Sequence, residues 1–317
     1  MNIVILDGHV LNPGDLSWDG FASLGDLSVY GSTSAEDVIE RSKTADALII
    51  NKVKLGEKEF DALPKLKYIG ITATGYNIVD IESAHWHGIT VTNVPEYSTD
   101  GVAETVFSYI LAFSRRVKEH SDLVKTGEWE SCGHFSFWKY PLTELWGKRI
   151  GIIGMGSIGM RVAEIASAFG MDVVYTSRSD KPLADEKGYH SVELDKLLAT
   201  SDYISIHTPL TDETRNMIDE RELRMMKENA VLINTARGGI VNEEALYKAL
   251  SEKWIAGAAL DVISEEPPKK HLPLFDLDNI IITPHIAWTA KEARTRLINA
   301  ALENLVSFTL GIRKNVI

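Results

Sequence analysis

The sequence predicts an α/β protein of two doubly wound parallel-sheet domains with a cleft between them. Three observations predict it. Two separate series of short apolar runs alternate with helical patterns, a long amphipathic segment divides the series, and a glycine-rich turn at 154–159 heads the second one. The 317 residues are enough for two domains of ordinary size.

In the first series, residues 3–6, 27–30, 47–50, 68–72 and 90–94 are rich in Val, Ile and Tyr and read as strands. Residues 35–43 and 80–87 fit helices between them, and such alternation implies a sheet covered on both faces. From 98 to 125, Val102, Val106, Ile110, Phe113 and Val117 recur at three or four, which predicts one long helix stopped by Gly127. The second series has strands at 149–153, 172–175, 203–207, 230–234, 256–259 and 280–283, with helices at 158–169, 192–199, 220–226 and 243–252. Thr289-Ala290-Lys291-Glu292 reads as a capping box opening a last helix to about residue 310, with Gly311 beyond it. The expected layout is a first domain of 1–99 plus 288–317, into which a second, 100–287, is inserted.

A net charge of −12 argues against a nucleic-acid partner. The single cysteine, Cys132, cannot form an intramolecular disulfide, and without a Cys cluster no zinc or other metal site is expected. The start, Met1-Asn2-Ile3-Val4-Ile5-Leu6-Asp7, lacks the pattern of a secretion signal, and no apolar run reaches 18 residues. A cytoplasmic chain with no membrane partner is the default expectation.

Gly154-Met155-Gly156-Ser157-Ile158-Gly159 follows an apolar run and opens a helical pattern, the context that makes G-x-G-x-x-G a dinucleotide-binding turn. Gly154 allows the tight turn, Gly156 lets backbone approach a pyrophosphate, and Gly159 lets helix pack on strand. The helix start at Ser157 and Ile158 offers unpaired N–H groups to phosphate. An NAD domain usually ends its second strand on Asp or Glu, but here Tyr175-Thr176-Ser177-Arg178-Ser179 carries no carboxylate. Ser177 and Arg178 suit a 2′-phosphate, so NADP(H) is favoured, with NAD(H) the alternative and a solvated arginine the plain structural reading.

Three further motifs each close a strand: Asn234-Thr235-Ala236-Arg237-Gly238-Gly239, Leu260-Asp261-Val262-Ile263-Ser264-Glu265-Glu266-Pro267, and Thr283-Pro284-His285-Ile286-Ala287-Trp288. Ligands of open α/β sheets sit at the carboxyl ends of strands, so Arg237, Glu266 and His285 are candidates to converge there. With the glycine turn and His207-Thr208-Pro209-Leu210-Thr211, these motifs resemble the D-isomer-specific 2-hydroxyacid dehydrogenase family over nearly the whole chain. Phe137-Trp138-Lys139-Tyr140-Pro141-Leu142 and the surroundings of His285 are most similar to its glycerate dehydrogenase and hydroxypyruvate reductase branch.

The resemblance implies a flavodoxin-like substrate domain and a Rossmann nucleotide-binding domain. It implies hydride transfer between NAD(P)H and a small 2-oxo acid to give a D-2-hydroxy acid. Arg237 would hold the substrate carboxylate and polarise its ketone. His285 would donate a proton to the carbonyl oxygen, and Glu266 would hydrogen-bond His285 and favour its protonated form. Thr208, Pro209, Thr235, Ala236 and Asp261 would contact the cofactor, Asp261 at the nicotinamide carboxamide, and Thr74 and Gly75 would offer backbone N–H groups to the substrate carboxylate. Lys52 is a further candidate near the substrate, or a surface lysine.

Trp129, Phe135, Phe137, Trp138, Tyr140 and Trp146 crowd one segment, and family members are typically dimers, so this segment is expected to be a homodimer arm. Trp138 would either approach the partner's substrate pocket or pack within its own subunit. Two other readings stay open: a 3-phosphoglycerate dehydrogenase-like enzyme, and a dinucleotide-sensing, corepressor-like binding protein on the same fold.

Overall fold

Short runs dense in Val and Ile, each bounded by polar turns, become parallel strands in both halves of the chain. The computed structural model describes residues 1–317, which form two units: Met1–Ser98 with Thr289–Ile317, and Thr99–Trp288. No helix is long and apolar enough to cross a membrane.

The first unit holds β1 (Asn2–Ile5), β2 (Asp26–Val29), β3 (Ala47–Ile50), β4 (Tyr68–Ile71) and β5 (Thr90–Thr92), all parallel in the order β2-β1-β3-β4-β5. Strands β3 and β4 are buried at every residue, as expected of central strands covered on both faces. Helices Glu57–Ala62 and Ile81–Trp86 cover one side through Phe60 and Ala84. The first of these has no clear periodic pattern in the sequence. Its N-terminus is fixed by Glu59, whose carboxylate accepts the Gly56 N–H at 3.0 Å.

The C-terminal helix, Lys291–Thr309, buries Ala293, Leu297, Ile298, Ala301 and Leu305 in the first unit. The expected capping box is corrected here: the N-cap is Ala290, which makes no side-chain cap bond. The helix is held at its start by Arg294 instead. Its guanidinium donates to both Asp15 oxygens at 2.8 and 2.7 Å and to the Leu11 carbonyl, while Nε donates to the Thr289 carbonyl.

The second unit holds β6 (Arg149–Ile153), β7 (Asp172–Thr176), β8 (His190–Ser191), β9 (Tyr203–Ile206), β10 (Val231–Asn234), β11 (Gly257–Leu260) and β12 (Ile280–Ile282). All are parallel in the order β12-β11-β10-β9-β6-β7-β8. The order reverses between β6 and β9, which opens a crevice at their carboxyl ends. Strand β8 went unpredicted because two exposed residues carry no apolar pattern.

The single long helix predicted over 98–125 is also corrected. The chain forms Thr99–Arg115 and then Val117–Lys125, separated by Arg116 in the left-handed region at φ 48°. The second piece buries no residue fully, and Val117, counted in the apolar repeat, is exposed.

The Arg294 guanidinium holds the Asp15 carboxyl below its ordinary value of 3.8. A lowered folded pKa gives stability that is present above about pH 4 and is lost as pH falls through the folded value. Thermal melts of Asp15→Asn should therefore lie below wild type at neutral pH and converge with it below about pH 4. Parallel curves at all pH values would show that the ion pair does not titrate with folding.

Candidate active site

The glycine turn is built by close approach. Gly154 has φ 99°, and a Cβ there would lie 2.6 Å from the His207 carbonyl oxygen. At Gly159 a Cβ would come within 2.2 Å of the Gly154 carbonyl oxygen, so only glycine lets the helix Ser157–Ala168 pack on its strand. At Gly156 the reverse holds. A Cβ would meet nothing within 4 Å, so this face of the turn is open, and Gly156 caps the helix without a side-chain bond. Ser157 is exposed and Ile158 half-buried beside it.

Thr208 and Pro209 follow β9, with the Thr208 N–H beside Gly154. Thr235 follows β10, and its buried hydroxyl has no hydrogen-bond partner. A cradle open at Gly156 and an orphaned hydroxyl across the switch point fit a dinucleotide lying over the carboxyl ends of β6 and β10. Desolvation pushes the pKa of His207 down to about 3, and its Nε2 lies 2.8 Å from Ser205 Oγ, so this ring is a neutral structural group. Ser177 and the exposed Arg178 stand at the tip of β7; the Thr211 hydroxyl, with a smaller contribution from Arg178, holds the Glu213 carboxyl below its ordinary range.

Three loops at the ends of β10, β11 and β12 carry the expected trio. Asn234 shapes the first loop: its side-chain oxygen accepts the Ala236 N–H at 3.0 Å and its amide donates to the Arg237 carbonyl at 2.9 Å. Arg237 is exposed and donates through Nη1 to the Ala236 carbonyl at 2.7 Å. The next residue seats this loop on its neighbour, since a Cβ at Gly238 would lie 1.9 Å from the Ile263 carbonyl oxygen.

Glu266, on the second loop, accepts the Ile263 N–H through Oε1 at 3.0 Å and meets His285 Nδ1 through Oε2 at 2.6 Å. An ionised carboxylate only accepts, so Nδ1 carries the proton and Nε2 is left to act on a ligand. His285 is held at φ 55°, a left-handed conformation that is uncommon outside glycine. Glu266 and His285 border a largely apolar cavity of about 590 Å³ with Ile263, Phe275, Ile282 and Pro284.

Asp261 is fully buried and engaged within the chain, accepting from Thr283 Oγ1 and the backbone N–H groups of Ile286 and Ala287. Sequence reasoning missed Thr283 and Tyr109, which hydrogen-bond to each other 174 positions apart.

In the first unit, Thr74 and Gly75 follow β4. Thr74 Oγ1 donates to the Val94 carbonyl at 2.9 Å, and Asn93 donates to the Thr74 carbonyl at 2.7 Å, which fixes the loop. The buried Asp7 carboxylate accepts the N–H groups of Asn51, Lys52 and Val53, shaping the turn that carries the exposed Lys52.

Residues 107–287 match the profile of the D-isomer specific 2-hydroxyacid dehydrogenase NAD binding domain. A hydroxypyruvate reductase from Blautia hydrogenotrophica is 41% identical over 100% of this chain and 99% of its own. The chain belongs to the D-isomer-specific 2-hydroxyacid dehydrogenase family. A glycerate dehydrogenase from Methylorubrum extorquens is 39% identical over 91% of the chain and 90% of its own. Among solved structures, an acyclic imino acid reductase in complex with NADPH and D-Arg has TM-score 0.87 at 32% identity, with full coverage of both chains. As a member of this dehydrogenase family, the chain is an oxidoreductase that acts on CH–OH donors with a nicotinamide dinucleotide.

Gly238→Ala should force the Arg237 loop away from the 263–264 backbone. It should cost about 1–3 kcal/mol of stability, the usual range for overpacking, together with a loss of kcat/KM. Urea denaturation and steady-state kinetics check this, and a variant matching wild type in both would mean the two loops are not held by that contact.

Proposed function

We propose that this dehydrogenase reduces hydroxypyruvate to D-glycerate, or glyoxylate to glycolate, with NADPH as its preferred cofactor. The observation that carries the catalytic assignment is the 2.6 Å contact between His285 Nδ1 and Glu266. When bound, the dinucleotide supplies or accepts the hydride. The chain's own residues bind the acid and move the proton. Arg237 retains donors beyond the one spent on Ala236, enough to grip a carboxylate and the adjacent ketone oxygen. His285 Nε2 gives its proton to the developing alkoxide, and Glu266 stabilises the imidazolium that precedes the transfer. In the oxidative direction the neutral ring takes the proton back. Thr74 and Gly75 offer backbone N–H groups suited to a carboxylate, and Asp261 Oδ2 keeps an acceptor position for the nicotinamide carboxamide.

The substrate assignment rests on the relatives that act as a hydroxypyruvate reductase and a glycerate dehydrogenase. The NADP preference rests on the tip of β7. There Arg178 stands exposed with no carboxylate in the strand end, and Ser177 before it lines a cavity of about 390 Å³ with Thr176, Ser191, Val192, Glu193 and Lys196. The imino acid reductase of similar structure, bound to NADPH, supports the same reading.

The chain also forms a homodimer in this proposal. Phe135, Trp138 and Trp146 are 95%, 66% and 79% exposed, more aromatic surface than a monomer leaves to water. This exposure favours the partner-facing role of Trp138 over packing within its own subunit. Multi-angle light scattering at micromolar concentration should return twice the chain mass, and a monomer would remove the dimer from the account.

His285→Ala should lower kcat by about 10²–10⁴-fold, with NADPH affinity nearly unchanged. Turnover within tenfold of wild type would reject the proton-transfer role. Arg178→Ala should raise KM for NADPH while leaving KM for NADH near wild type. Equal changes for both cofactors would deny Arg178 a 2′-phosphate contact.

A further inference from the structure

His285 occupies a backbone conformation that it would not choose alone. A non-glycine residue at φ 55° is strained, so something nearby must hold the turn. The hydrogen bonds identify what holds it. The Asp261 carbonyl accepts the His285 N–H at 2.8 Å. The Asp261 carboxylate accepts the next two backbone N–H groups, Ile286 on Oδ1 and Ala287 on Oδ2, both at 2.8 Å. The histidine is thus bracketed by a single aspartate on the adjacent strand end.

That aspartate is itself aimed. Thr283 Oγ1 donates to Asp261 Oδ1 at 2.6 Å, and the hydroxyl of Tyr109 contacts Thr283 Oγ1. Because the threonine proton goes to the carboxylate, the tyrosine must be the donor to Thr283. Tyr109 sits on the helix Thr99–Arg115, buried to 5% exposure. Burial pushes its pKa up to about 12, so it remains a neutral donor across any working pH.

We propose that Tyr109 and Thr283 are positioning residues. Their hydroxyl chain orients the Asp261 carboxylate, which clamps the strained turn that presents His285 to Glu266. The role extends the acid–base reading of His285 and rests on it. It assigns the buried end of Asp261 to the protein backbone, beside any acceptor position Asp261 offers to a ligand. A carboxylate free to rotate would release one of the two N–H groups and let the imidazole drift, and misplacements of about 1 Å are known to cost on the order of 10²-fold in rate.

The test uses Tyr109→Phe, Thr283→Val and Thr283→Ser in the full-length enzyme. Tyr109→Phe and Thr283→Val should each lower kcat by about tenfold, with KM for NADPH within about twofold of wild type. The double variant should be no slower than the slower single one, since both act on one chain of bonds. Thr283→Ser, which keeps the hydroxyl, should restore most of the rate. A second readout needs no turnover. The downfield Nδ1–H resonance of His285 in ¹⁵N-edited NMR should be sharp in wild type, broadened in Thr283→Val and restored in Thr283→Ser.

Loss of rate with an unchanged His285 resonance, or a loss confined to KM for NADPH, would overturn the proposal. So would a Tyr109→Phe enzyme at wild-type kcat. If no 2-oxo acid is turned over by wild type, the acid–base reading fails, whereas the resonance still tests the clamp.

Discussion

Every strand in both sheets is parallel, and this constraint governs the rest of the molecule. Parallel strands end on the same edge, so the loops after β6, β7, β9, β10, β11 and β12 are delivered to one rim of the second unit. The glycine turn, Arg178, Thr208, Thr235, Arg237, Glu266 and His285 all lie on those loops. Chemistry scattered over more than a hundred positions of sequence is gathered by topology. Burial on both faces drives the arrangement, since β9, β10 and β11 have no exposed residue and can be satisfied only beneath helices.

Within that rim, close approach does what side chains could not. Gly154, Gly159 and Gly238 each stand where a single Cβ would strike a backbone carbonyl group. The first two shape the glycine turn, and the third seats the Arg237 loop on the Glu266 loop. Glu266 spends one oxygen on the Ile263 N–H and the other on His285, so its rotamer is fixed from both ends. A carboxylate held this way keeps the imidazole in one tautomer and one orientation.

Much of this was legible in the sequence. The strands at 47–50 and 149–153 are bounded as the apolar pattern predicted. The glycine turn was readable because its context, strand before and helix after, is local. The pairing of Glu266 with His285 was readable because each follows a strand in a distinctive motif. Local pattern failed where structure is set by distant or non-periodic contacts. Arg116 breaks a helix whose apolar repeat runs on across it, and the start of the C-terminal helix is decided by a bond from Arg294 to Asp15, 279 positions away. The Tyr109–Thr283–Asp261 chain was invisible for the same reason. Tyr109 reads as one more apolar position on an amphipathic helix, and nothing near it in sequence announces a hydroxyl partner.

The activity proposed for this rim of loops is D-specific reduction of a small 2-oxo acid. The most direct measurement is chiral analysis of the product formed from hydroxypyruvate and NADPH, with NADPH consumption followed in the same reaction. One equivalent of D-glycerate is expected for each NADPH oxidised. L-glycerate, or no oxidation with hydroxypyruvate or glyoxylate and either cofactor, would contradict it.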